Sequence, residues 1–125
     1  MGKELIEQLT KAVKRLEEVL ALEKTIVNRD ASIKRFEMAF DLSWKTIKWF
    51  IEEKKGAICR SPKGCYREAY TQGLIEYERK WLSMTDDRNA AAHTYKEAFA
   101  EQMFTELPEY LQLFQKLIKK LQEFS

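Results

Sequence analysis

Apolar residues recur along this chain at alternating steps of three and four, the spacing that gathers them on one face of an α-helix. Leu5, Leu9, Ala12, Leu16 and Val19 make such a seam, widened by Val13, Leu20 and Leu22, and predict a first helix from about Lys3 to Glu23. The polar run Asn28-Arg29-Asp30 breaks the pattern, with Asp30 placed to cap a second helix from about Ala31 to Lys55. In that helix Ile33, Phe36, Phe40, Trp44, Ile47 and Ile51 form one face, and Met38, Leu42 and Trp49 a second apolar line. A helix apolar on two sides is central to a bundle or lies at an interface. Lys54-Lys55-Gly56 closes it, two cations at the negative helix end followed by a C′ glycine.

Ser61-Pro62 predicts a third, short helix with Ser as N-cap and Pro in the first turn, running to about Gln72 and stopping near Gly73. A fourth spans about Tyr77 to Ala92, with Trp81 and Met84 inward. Thr94-Tyr95-Lys96-Glu97 fits a capping box and places a break at His93-Thr94. The fifth helix carries Phe99, Met103, Leu107, Tyr110, Phe114, Leu117 and Leu121 as its stripe, and Pro108 within it predicts a kink or a split. No strand-like alternation and no internal repeat occurs. The expected fold is all-α, one domain over 1–125, an up-and-down bundle of four main helices plus a short one.

Composition agrees with this reading: Gly 4 and Pro 2 among 125 residues leave few breakers, and 45% hydrophobic residues suffice for a core. No apolar run is long enough to span a membrane, and the charged amphipathic start lacks the apolar core of a secretory signal, so a cytoplasmic protein is expected. In that reducing compartment Cys59 and Cys65 are expected as free thiols, with a disulfide closing the small loop as the alternative. Two Cys and one distant His match no zinc spacing, and neither metal nor cofactor is expected. Net charge is only +2. Between Lys45 and Arg67, however, seven cations face two carboxylates. Such a stretch suits either phosphate binding or a solvated helix end and loop.

The candidate chemistry gathers at the predicted fourth junction. His93, the one histidine, follows Arg88 by five residues. On an unbroken helix that step would turn their side chains apart by about 140°. A helix ending near His93 removes the constraint, and the intervening Ala90, Ala91 and Ala92 keep the surface low. Arginine forks onto phosphate oxygens, and an imidazole moves protons near neutral pH. Together they suit cleavage of RNA without metal, with His93 as general base on the ribose 2′-hydroxyl or acid for the leaving oxygen, Arg88 stabilising the charged phosphorus oxygens, and Asn89 orienting phosphate or base. A plainer reading remains open: Arg88 pairs with an acid, His93 caps a helix end, Tyr95 only packs, and Asp86 and Asp87 are surface acids.

The pattern Arg-x4-His-x-Tyr, as Arg88, His93 and Tyr95, resembles the signature of the HEPN superfamily, and more closely its HepT-like branch, the nucleotidyltransferase substrate-binding proteins. Ser61-Pro62, Arg67-Glu68-Ala69, Gly73-Leu74-Ile75, Trp81-Leu82, Asp87-Arg88-Asn89, His93 to Glu97 and Pro108-Glu109-Tyr110 follow that family's order. The resemblance implies a homodimeric helical bundle in which two motifs share a cleft. It implies a metal-independent endoribonuclease toxin with Arg88 and His93 catalytic; beside them Asp87 and Asn89 are the candidate substrate-binding residues. It further implies a cognate minimal nucleotidyltransferase as antitoxin, with Tyr95 the acceptor of adenylyl groups. The alternative it leaves is a non-catalytic subunit binding nucleotide or substrate for that transferase. The chain itself has neither a P-loop nor the Gly-Ser and paired aspartates of a nucleotidyltransferase.

Overall fold

The computed structural model describes residues 1–94 and 96–124. Among these the chain forms α1 (Gly2–Leu20), α2 (Ile26–Phe50), α3 (Pro62–Thr71), α4 (Glu78–Ala91) and α5 (Glu97–Phe124), with no strand. α2 does not stop at Phe50 but widens into a π-helical turn, Ile51–Lys55, which ends on Gly56 at φ 67°. That left-handed residue is where glycine is favoured, as the sequence predicts. Among the described residues no helix is long and apolar enough to cross a membrane.

α2 begins five residues before the expected start. Thr25, not Asp30, is its cap: the Thr25 hydroxyl accepts from the Asn28 backbone N–H at 3.0 Å. The polar run that looked like a break is the helix's first turns. The Asn28 side chain donates back to the Glu23 carbonyl, and Arg29 turns inward. α1 correspondingly ends at Leu20, and Leu22 lies in the exposed connection. α3 starts on Ser61, whose hydroxyl accepts from the Gly64 N–H, and stops before Gly73 at φ 77°.

α5 runs without interruption through Pro108, so the proline does not split it. The proline ring removes one backbone donor at about 3 kcal/mol. It lies on the exposed face, while Leu107 and Tyr110 on either side are buried in the core. The packing of that seam outweighs the lost bond.

The core is one cluster to which all five helices contribute. Its centre is a chain of rings: Phe36 against Tyr110 at 5.4 Å, Phe40 against Tyr66 at 5.6 Å, Tyr66 against Trp81 at 4.8 Å, and Trp81 against Phe114 at 5.8 Å. The inward face of α2 is rotated from the expected one. Ser32, Ala39, Ser43, Thr46 and Phe50 are buried beside Phe36, Phe40 and Ile47, whereas Ile33 and Trp44 are half-buried. The hydroxyls tolerate burial because each bonds a carbonyl of its own helix: Ser32 to Asn28, Ser43 to Phe40 and Thr46 to Leu42, all at 2.7 Å. Ser43 also meets the Tyr66 hydroxyl at 2.7 Å. Burial pushes that phenol well above its ordinary pKa, so it stays neutral.

Cys59 and Cys65 form a disulfide, which corrects the expectation of free thiols. The loop leaving the π turn folds back so that their Cα atoms lie 5.0 Å apart, and both residues are buried. The redox poise of a compartment carries no information on this chain geometry. Replacing both with serine, or reducing them, is expected to cost about 2 kcal/mol for so short a loop, read from urea denaturation with and without reductant.

Candidate functional site

The last turns of α4 carry the candidate residues, and three consecutive side chains there reach three different helices. Asp86 takes the Lys63 ammonium of α3 at 2.7 Å. Asp87 accepts a hydrogen bond from the Tyr110 hydroxyl of α5. Arg88 reaches α2, its Nε and Nη2 each donating to one Asp41 oxygen at 3.2 Å. α4 is thus fixed in rotation about its own axis. The Tyr110 phenol is pushed well above its ordinary range, first by desolvation and then by its bond to Asp87, so it remains a donor.

The helix ends at Ala91, with Ala92 still right-handed and the His93 N–H closing a last turn onto the Ala90 carbonyl at 3.1 Å. His93 therefore lies off the end of α4, on an exposed turn, where the predicted break put it. Among the described residues no hydrogen bond joins it to Arg88. The two belong to one helix end without forming a coupled pair inside a single chain. Asn89 is exposed and open to a ligand, whereas Asp87, expected as a substrate-binding residue, is already engaged by Tyr110. Tyr95, the expected modification site, lies outside the described residues.

The Arg88 side chain is about three-quarters buried, and its guanidinium is held by the Asp41 fork. Two of its five N–H groups are used there, which leaves donors for a phosphate oxygen. The plainer expectation that Arg88 pairs with an acid is thus met, and the pairing pre-orients the group.

The start of α5 is fixed by a residue read from the sequence only as part of a polar break. Arg29 is 3% exposed and grips Glu97 through both terminal nitrogens at 2.6 and 2.9 Å, Glu101 at 2.9 Å and the neighbouring Asp30 at 2.9 Å. Glu97 was expected to close a capping box on Thr94; its carboxylate turns to Arg29 instead. The i,i+4 spacing of Glu97 and Glu101 puts both acids on one face of α5, but nothing local ties them to a residue 68 positions earlier. A cleft of about 220 Å³ opens beside this network, lined by Arg29, Lys34, Ala91, Thr94, Lys96 and Phe99 among others, so it abuts the turn bearing His93. Among the described residues no group of His, Cys, Asp and Glu is placed to hold a metal ion.

The network has a pH signature. The Arg29 bond holds the Glu97 carboxyl below its ordinary value of 4.5. Glu101 is lowered by Lys24 first and Arg29 second. A depressed folded-state pKa stabilises above the unfolded value and loses that contribution as pH falls through the folded one. The urea midpoint should therefore drop below about pH 4.5, and Arg29→Met should flatten that part of the profile. Both carboxylates are roughly half exposed or more, so the effect is modest.

The family model "Nucleotidyltransferase substrate binding protein like" matches residues 4–123. A Haemophilus influenzae protein named probable ribonuclease HepT is 31% identical over 86 residues, which are 64% of this chain and 58% of that protein. A crystal structure from Thermus thermophilus is 39% identical, with a TM-score of 0.86 over 90% of this chain and 98% of its own. A second structure, from H. influenzae and described as revealing the fold of a substrate-binding domain of a nucleotidyltransferase, superposes with a TM-score of 0.80 over 94% of this chain and 98% of its own. At 23% identity that last likeness speaks for the fold alone. With the family model spanning nearly its whole length, the chain belongs to the family of nucleotidyltransferase substrate-binding-like proteins, the HepT-like helical bundles.

Proposed function

We propose that this protein is a HepT-like toxin, an endoribonuclease that cuts RNA without metal and works with a cognate minimal nucleotidyltransferase as antitoxin. The observation that supports it most is the end of α4. Arg88 is held as a planar fork by Asp41, and His93 stands on the exposed turn just beyond the helix. In this reading His93 takes the proton from a ribose 2′-hydroxyl, the freed oxygen attacks the adjacent phosphorus, and the 5′-oxygen leaves with a proton. Arg88 stabilises the charge gathering on the non-bridging oxygens. One histidine per chain is few for both acid and base, so a homodimer would bring two such ends together. Asn89, exposed beside Arg88, orients the phosphate or base. Tyr95 is the acceptor on which the partner would place an adenylyl group and so silence the enzyme.

The chemistry predicts its products. Attack by the 2′-oxygen leaves a 2′,3′-cyclic phosphate and a 5′-hydroxyl, and a strand with 2′-deoxy sugars is not cut. Fragments ending in 3′-hydroxyl and 5′-phosphate would refute this role for His93.

A second reading is favoured by the family's description and by the carboxylate already seated on Arg88. Here the protein is a non-catalytic subunit that holds a nucleotide or acceptor for the transferase. It predicts nucleotide binding that fails in Arg88→Ala and no RNA turnover.

A further inference from the structure

At the far side of α4, away from its C-terminal end, a cavity of about 370 Å³ opens between the α3–α4 connection and the C-terminal half of α5. Its size is in the range of small-molecule sites, about 300–1,000 Å³. We propose that it is a second ligand site, for a nucleoside phosphate or a chemically similar molecule with a flat ring and an anionic group. The proposal does not rest on the reading of Arg88 and His93.

Three observations meet here. The floor is apolar: Ile75, Trp81, Leu113 and Leu117 line it and are all buried. The rim is cationic: Lys116, Lys119 and Lys120 stand at i, i+3 and i+4 on α5, all exposed. Among the described residues none of the three forms a salt bridge, although Glu76 and Glu123 also border the cavity. Helical spacing alone does not call for three ammonium groups without a carboxylate partner around one apolar hollow.

The third observation is Tyr77. It is the one non-glycine residue with positive φ among the described residues, at φ 57° and ψ 55°, and it immediately precedes α4. Glycine or asparagine would take that conformation at less cost. The strained backbone carries a tyrosine that is 56% exposed, so the strain secures no core packing. It stands the ring at the cavity mouth, with the Lys116 ammonium 5.7 Å from its centroid. Strain of this kind persists where the surroundings over-determine it, and it gathers at ligand clamps. A ring to stack on, an apolar floor and point charges for a phosphate are the parts such a ligand needs.

The test is calorimetric titration of the folded full chain with AMP, adenosine and inorganic phosphate. AMP is expected to saturate below ~10 mM and to bind more tightly than either half of the molecule. Lys116→Ala with Lys120→Ala should weaken AMP by about tenfold or more, the loss of charge-assisted contacts. Tyr77→Gly should weaken it while leaving the denaturation midpoint unchanged or higher, since the strain is relieved; a merely structural tyrosine would lower the midpoint instead. Arg88→Ala should bind AMP as the wild type does. Absence of saturation, affinity for phosphate equal to that for AMP, or binding lost in Arg88→Ala but kept in the lysine variant would each overturn the proposal.

Discussion

Arg88→Ala is expected to lower the initial rate of RNA cleavage by about 10²–10³-fold, the range for removing a donor that stabilises transition-state charge. Its fold should survive. The Arg88–Asp41 pair is partly solvated, with side chains 25% and 40% exposed, and such a pair contributes at most about 1 kcal/mol. Arg88→Lys should be nearly as slow as the alanine variant, because an ammonium cannot reproduce the planar fork. Asp41→Asn should be milder, about tenfold, since it loosens the guanidinium without removing it. Cleavage rates set beside circular dichroism of the same samples separate chemistry from folding. Full activity in Arg88→Ala would remove that residue from the mechanism.

Trp81→Ala should be the most destabilising of the substitutions considered, by about 3–5 kcal/mol. Trp81 is 1% exposed and joins three helices, with Tyr66 of α3 at 4.8 Å and Phe114 of α5 at 5.8 Å from its own place on α4. The same helix carries Arg88 two turns on, so the loss of this anchor should abolish activity through unfolding. Trp44→Ala, at a half-buried position, is the control and should cost clearly less. A urea midpoint for Trp81→Ala close to the wild type would mean that α4 is not anchored as described.

The helices were legible because their seams are regular. Leu9, Leu16 and Val19 on α1, and Met103 to Leu121 on α5, are buried where the three-four spacing placed them. What misled were polar residues with partners that spacing does not reveal. Ser32, Ser43 and Thr46 stand outside the apolar lines of α2, yet each returns its hydroxyl to its own helix and enters the core. Arg29 read as a break, yet its partners Glu97 and Glu101 come from the other end of the chain. The same blindness applied to Cys59 and Cys65, which a fold-back of the loop brings together.

At the candidate site, the break after α4 was readable from His93-Thr94 onward, and the histidine does leave the helix there. The partners of the site were not readable. Asp41 lies 47 residues before Arg88, and Tyr110 lies 23 after Asp87. A long-range hydrogen bond leaves no periodic trace in a sequence. The capping box failed for the same reason: the glutamate had a stronger, distant partner in a buried guanidinium.

The measurement that bears most directly on the account is cleavage of RNA by the purified protein in EDTA, beside His93→Ala prepared identically. Cleavage by the wild type alone is the predicted result. Equal cleavage by both, or none by either with both folded, would contradict a metal-independent ribonuclease working through His93, and the second outcome would favour the nucleotide-holding subunit.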